Sequence, residues 1–350
     1  LARRTANENF DGDFGGVFYT RRITTGFVTQ QQVVGFTQRV TGFTPTTTTT
    51  TTTGTDPQGR PITIRTVTTT NTPVIVNDPV VVTTQVAQQR VVRLPLGGRY
   101  SGILLSDNDN PRPQDRLYGG FTFYDNFGAA LNPGFGPVDL QRQVAGFEKT
   151  FFGGDASFGM RLPLLQQYGP GFSAHDIGDL SLLFKYALYN NPETNDLVSA
   201  GLVLTVPTGS GSAILLDGSR APHSVLFQPW AGFVKTFDRA YVQGISSLIV
   251  PTDGRDPTLW NNSLGVGYYV YRSTGNTWLT SVAPVAEVHV RTPLNQRNPS
   301  GLVYLQDQVN LTGGLHLRFG RLSVSTAIGT PVVGPRPWAF ESMTFVNLNF

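Results

Sequence analysis

The sequence predicts an all-β protein, a transmembrane antiparallel up-and-down β-barrel of about 12 strands with an extended β-rich N-terminal arm. Three observations predict it. From residue 113 onward, segments of about ten residues alternate apolar and polar and are separated by turn residues. Only 14% of the 350 residues are charged, yet mean hydropathy is -0.11. Few charges without overall greasiness means strands that are half apolar and half neutral-polar. The chain closes on "MTFVNLNF", an alternating segment ending in Phe350.

The elements follow in order. Leu1-Ala2-Arg3-Arg4 has no apolar core behind it and reads as a processed start. Residues 1-112 read as one Thr/Val-rich arm. It holds eight consecutive threonines, Thr46 to Thr53, and then "GRPITIRTVTTTNTPVIVNDPVVVTTQVAQQRVVRLPL". That stretch is β-branched, broken by prolines and poor in helix formers, so it reads as extended strands or a β-ribbon. Composition alone also allows a linker at the Thr run. Ordering a chain costs about 1–2 kcal/mol per residue, so an ordered arm needs something to pack against. The arm is expected to plug the barrel or to link subunits.

Residues 113-350 carry twelve alternating segments: 116-127, 139-152, 155-168, 176-190, 197-208, 223-238, 240-251, 259-273, 277-292, 302-319, 321-333 and 341-350. In "DLSLLFKYALY", Leu180, Leu182, Phe184, Tyr186 and Leu188 share one row; Ser181, Lys185 and Ala187 share the other. The aliphatic row suits lipid and the small polar row suits a lumen. Short turns such as "FGGD", "FDRA" and "FGR" alternate with longer polar loops, as at the two faces of such a barrel. Pro163, Pro229 and Pro284 lack a ladder donor, so bulges or rim positions are expected there. Phe121, Phe123, Tyr124, Phe147, Phe151, Phe152, Trp230, Phe233 and Phe237 lie toward segment ends and read as interfacial girdles. A soluble β-sandwich is the competing fold, but its strands usually run about five or six residues.

Several chemistries find no support. The absence of Cys excludes disulfides and thiolate metal sites. A net charge of +3 without any Lys/Arg run argues against nucleic acid. "PTGSGSA" lacks the lysine of a phosphate loop. In Asp107-Asn108-Asp109-Asn110, Pro111 stands where a calcium loop needs Gly, so a polar turn is expected. His175, His223, His289 and His316 have no metal spacing. No cofactor, metal or catalytic residue is expected. A lipid-cleaving barrel would carry Ser and His on its lipid face, whereas parity turns His289 and His316 inward.

Parity also names the residues lining the interior: Arg161, Lys185, Glu287, His289, Arg291, Asn310, His316 and Arg318. Four cations against one carboxylate favour anions weakly in a water-filled lumen. The alternative is a salt-bridge network that braces a narrow barrel without selecting any solute.

Three resemblances join this reading. "HDIGDLSLLFKYALYNNPETNDLVSAGLVLTVPTGSG" resembles a segment of the MetA-pathway phenol-degradation family of outer-membrane proteins. It carries Gly178-Asp179, an alternating strand, an acidic or Asn-rich turn, and a second strand ending in Pro207-Thr208-Gly209. "NPRPQDRLYGGFTFYDNF" is similar to the entry into the first strand of Gram-negative barrel proteins. The resemblance implies an outer-membrane barrel passing small molecules. It names no substrate, and residues 1 to about 95 depart from the family. Val346, Leu348 and Phe350 resemble the C-terminal signal by which outer-membrane barrels are recognised by the barrel assembly machinery. Expected partners are outer-membrane lipid, that machinery and further copies of the chain in a homo-oligomer. Thr344 fits the apolar row poorly.

Overall fold

The computed structural model describes residues 18–95, 110–209, 214–273, 277–334 and 336–350. Asp107 to Asp109, and Ser210 to Ala213 of "PTGSGSA", lie outside the described residues. The chain forms two compact units, Gly26–Gln88 and the remainder.

The first unit is the body of a β-hairpin built from β1 (Phe18–Thr55) and β2 (Pro61–Pro95). The β-branched run explains the extension, because branched side chains fit a pleated backbone better than a helix. The Thr run lies within β1, with its side chains exposed. Arg39 pairs with Asp78 at 2.7 Å, the Thr41 hydroxyl donates to the Val74 carbonyl at 3.3 Å, and Thr47 meets Thr69 at 3.4 Å. Partners that converge as the chain advances define an antiparallel pair. At its tip, Asp56 Oδ1 accepts the N–H groups of Gln58 and Arg60. From Gly26 to Thr55 this ribbon runs about 100 Å at about 3.3 Å per residue.

The second unit is a closed antiparallel barrel of twelve strands. The barrel strands are β3 (Arg116–Tyr124), β4 (Asp139–Phe151), β5 (Ala156–Gly169), β7 (Leu180–Asn191), β8 (Asp196–Val206) and β9 (Leu226–Phe237). They continue as β10 (Ala240–Pro251), β11 (Leu259–Tyr268), β13 (Ser281–Pro293), β15 (Gln308–Phe319), β16 (Leu322–Pro331) and β17 (Glu341–Asn349). Three short strands accompany them: β6 (Phe172–Ile177), β12 (Tyr271–Arg272) and β14 (Val303–Tyr304). Each barrel strand pairs with its sequence neighbours in the barrel, and β17 closes onto β3 from Glu341↔Tyr124 to Asn349↔Arg116. Closure leaves no free edge.

The twelve expected segments hold, with three corrections. Segment 259-273 is cut at Tyr269-Val270, which separates β11 from β12. Segment 176-190 is cut at Gly178-Asp179, so β6 returns along β5 before β7 begins. Segment 302-319 is cut at Leu305–Asp307, because β14 leaves the barrel to pair with Phe18 and Tyr19 of β1. The prolines sit at ladder interruptions, and at Pro163 and Pro284 the register also slips by one residue across the gap, as at a bulge. Pro163 lies where β5 changes partner from β7 to β6. Pro229 lies in the gap of the β9–β10 ladder between Ser247↔Trp230 and Val250↔Phe227. Pro284 lies just past the last β11–β13 pair, Gly267↔Val285. In each case the missing N–H faces a side with no ladder bond to make. A register shift in the β7–β8 ladder, between Ala187 and Tyr189, turns Leu188 and Tyr189 outward together.

One end of the barrel carries the short turns, whose left-handed residues include Asn195, Asp238 and Gly320. The other end carries the long loops. There Tyr19 is fully buried among Leu226, Ile249, Leu259 and Leu305, and its hydroxyl donates to Asp256 at 3.1 Å. Beside it Val92 and Leu94 pack on Phe135 and Val138. The outward rows are apolar and exposed: Leu162 and Leu164, Phe184 and Tyr186, Leu264 and Val266, Val346 and Leu348.

Inside, aromatic rings lie over glycines on the adjacent strand, each a direct cross-strand pair. They are Tyr118 over Gly146, Trp230 over Gly201, Tyr241 over Gly267 and Phe345 over Gly120. Only a residue without Cβ lets a ring lie flat on its neighbour's backbone. This corrects the girdle reading for Trp230 and Tyr124. Both point inward and are buried, whereas Phe121, Phe147, Phe233 and Phe237 of the same group are exposed.

Candidate functional site

The inward rows converge on a buried polar interior. Leu140, Arg142, Val144, Gly146 and Glu148 share the inner row of β4 by alternation, and this row brings a carboxylate to the centre of a cationic cluster. Glu148 Oε2 accepts Arg116 Nε at 3.1 Å and Lys185 Nζ at 3.0 Å. Its Oε1 accepts the Ser157 hydroxyl at 2.7 Å and the Gln114 backbone N–H at 3.1 Å. Arg116 Nη1 also donates to Asn347 at 3.1 Å, and its guanidinium stands 4.5 Å over the Tyr118 ring. Charges this deep are stable only when paired and hydrogen-bonded.

The chain leading into β3 occupies the same space. Lys185 Nζ donates to the Asn110 carbonyl at 2.9 Å, and the Ser199 hydroxyl to the Pro111 carbonyl at 2.7 Å. Arg112 is buried and donates to Asn190 and to the Asn195 carbonyl in the β7–β8 turn. Asn110 Oδ1 accepts the Arg112 N–H at 2.8 Å and fixes the bend through Pro111. Residues 110–114 therefore lie against the interior wall toward its short-turn end.

A second group spans β11, β13, β15 and β16. Arg291 donates to Asn261 at 3.0 Å and to Gln308 at 3.3 Å. His289 Nδ1 shares a hydrogen bond with the Ser263 hydroxyl at 2.9 Å, and its Nε2 lies 3.4 Å from Glu287. His316 Nδ1 shares one with the Ser325 hydroxyl at 2.5 Å. All of these face inward, opposite to the lipid-facing Ser and His of a lipid-cleaving barrel. Among the described residues no three His, Cys, Asp or Glu side chains group as metal ligands would.

Of the residues singled out by parity, Arg161, Lys185, Glu287, His289, Arg291, Asn310 and His316 are buried inside. Arg318 stands at the end of β15, partly exposed, and donates to the Gly320 carbonyl at 3.2 Å. Val346, Leu348 and Phe350 form an exposed outward row. Sequence reasoning missed Arg116, Arg142, Glu148 and Glu341. Parity within segment 139-152 already placed Arg142 and Glu148 on one row. No local signal announced that the Asn110 and Pro111 carbonyls would be interior acceptors.

The closing strand is tied at its end. The Phe350 N–H donates to the Asp115 carbonyl at 3.2 Å, and Lys149 Nζ lies 5.2 Å over the Phe350 ring. Partial burial pushes the Asp115 carboxyl upward, but hydrogen bonds from the Thr150 N–H, the Thr150 hydroxyl and Lys149 outweigh it. They hold the group below the ordinary carboxylate range.

No family model matches the chain, and no curated protein does. Among solved structures it is similar to an outer-membrane channel from Pseudomonas putida F1, at 14% identity and TM-score 0.48 over 68% of this chain and 96% of that one. It is also similar to the beta domain of the Bordetella autotransporter BrkA, at 11% identity and TM-score 0.42 over 67% and 99%. A third is the KdgM porin, at 10% identity and TM-score 0.39 over 67% and 99%.

Proposed function

We propose that this chain is a β-barrel of the Gram-negative outer membrane that passes small solutes through its interior and favours anions. The observation that carries the reading is a closed cylinder, apolar outside and ionic inside. A ring of outward Leu, Val, Phe and Tyr this extensive suits hydrocarbon and not water. Inside stand the buried cations Arg112, Arg116, Arg142, Arg161, Lys185 and Arg291 with Glu148, Glu287 and Glu341. The other buried carboxylates, Asp179, Asp196 and Asp256, lie at strand ends or in loops, Asp179 and Asp196 being paired there with His223 and Lys235. Fixed positive charge in a low-dielectric passage raises the local anion concentration.

Planar-bilayer recording tests this. The purified barrel is expected to conduct, with a reversal potential in a salt gradient of anion-selective sign. Arg291→Ala combined with Arg318→Ala is expected to move that potential toward zero. A cation preference in the parent protein contradicts the charge argument.

The second reading is a structural barrel, plugged by its own chain and assembled into a homo-oligomer through the N-terminal arm. It is favoured by the near-complete burial of Arg116, Arg142, Arg161 and Arg291. Absence of current, both in the whole chain and after deletion of the arm, supports this reading against the first. An unchanged oligomer size on native gels after deletion of residues 1-95 removes the arm from that role.

Assembly is the third part of the proposal. The barrel assembly machinery is taken to read the outward row Val346, Leu348 and Phe350 on the strand that closes onto β3. Deleting Phe350 is expected to lower the amount of heat-modifiable barrel in the membrane severalfold while leaving the conductance of assembled molecules unchanged. Normal assembly of that variant rejects the role.

A further inference from the structure

The outward face of β8 to β11 departs from the rest of the lipid-facing surface. One cross-strand row there reads Ala200, Ala231, Ser246 and Asn262, each paired directly with the next. Bulkier residues flank it. Val198 and Phe233 pair on one side, with Leu264 beyond Gly244; Leu202 pairs with Pro229, and Leu248 with Trp260, on the other. Ala231, Ser246 and Asn262 of this row, with Val198, Phe233 and Leu264, line a groove of about 360 Å³. Along β9, Ala231 stands four residues from Phe227 and six from Phe237, about 13 and 20 Å along the strand. That depth lies within an apolar band of about 25 Å.

The floor is polar at its centre. Ser246 accepts a hydrogen bond from Trp260 Nε1 at 3.1 Å. The Asn262 carboxamide lies on the outward row with Trp260, Leu264 and Val266, and has no hydrogen-bond partner among the described residues. A primary amide facing hydrocarbon without a partner is costly. Small residues let backbones approach closely in lipid, and polar side chains then bridge them.

We propose that this face seats a second copy of the chain, with Asn262 paired to Asn262 across a two-fold axis. An acyl chain would fill the groove but offers the amide nothing. A carboxamide both donates and accepts, so it is its own complement, and a two-fold axis presents the same patch from both sides. Ala200, Ala231, Ser246 and Asn262 carry no charge that would oppose the approach. The contact involves the barrel wall and is independent of pore activity and of the arm.

The chain has no cysteine, so a single introduced thiol reports one position. The full chain is reconstituted in liposomes and oxidised as Asn262→Cys or Ala145→Cys, the latter an exposed outward site on β4 across the barrel. Disulfide-linked dimer is expected at least tenfold more from position 262, since a disulfide needs Cα atoms within about 7 Å. In the thiol-free chain, Asn262→Leu is expected to lower the dimer fraction in lipid about threefold or more, the scale of one hydrogen bond between membrane segments. Heat-modifiable gel mobility confirms that each variant is folded. Equal cross-linking at both positions, or a parent that stays monomeric at every protein-to-lipid ratio, overturns the proposal and leaves the groove to lipid.

Discussion

Replacing Glu148 with alanine is expected to destabilise the barrel by about 3–5 kcal/mol, more than most single substitutions. The reason is the company the carboxylate keeps. It is 2% exposed and holds Arg116 and Lys185 at 3.1 and 3.0 Å, with both cations nearly as buried. Removing it leaves two desolvated positive charges facing each other and strips acceptors from Ser157 and the Gln114 backbone. Glu148→Gln keeps the shape and one acceptor, so it is expected to cost less than alanine. Lys185→Met in the alanine background is expected to restore part of the loss, because it removes one of the stranded charges. The urea midpoint of unfolding, read by heat-modifiable mobility in lipid, measures all three. An unchanged midpoint for the alanine variant would mean that Glu148 is not the hub of this cluster.

The second large effect is expected at Gly201. A Cβ there would stand 2.1 Å from the Phe184 carbonyl oxygen and 2.6 Å from the Trp230 ring. The oxygen belongs to the neighbouring strand's backbone and cannot swing away. Gly201→Ala must therefore part β7 from β8 or lift Trp230 from its seat beside Leu183, Val203 and Ile245. Overpacking of this kind costs about 1–3 kcal/mol, and more where backbone has to move. Gly313→Ala is the matched control. A methyl group at Gly313 would meet nothing within 4 Å, so this substitution is expected to stay within about 0.5 kcal/mol. Equal behaviour of the two variants would show that the ring-on-glycine contacts do not brace the interior.

Much of the architecture is legible because a half-buried strand repeats every two residues. Leu180 to Leu188 against Ser181 to Ala187 tells inside from outside without reference to any neighbouring strand, and β10 begins and ends at the expected residues. Where residue type stands in for parity, the reading slips. Trp230 groups with Phe233 and Phe237 as interfacial by type, although odd and even positions of one strand face opposite ways. The structure puts Trp230 on Gly201, inside. Two of the divided segments slip for another reason. Alternation continues across Gly178-Asp179 and across Leu305–Asp307 because the strands on either side are extended as well.

By itself, then, the sequence determined the fold class, the number of barrel strands and the side on which each alternating residue falls. Each is a property of local period and composition. Only the tertiary structure decided which of the inward charges meet. Glu148, Arg116 and Lys185 come from three strands, and the carbonyls beside them from the segment entering β3. Their meeting depends on the stagger between strands and on the path of residues 110–114. Register accumulates around a closed barrel from every turn and ladder interruption, so no local stretch of sequence encodes it.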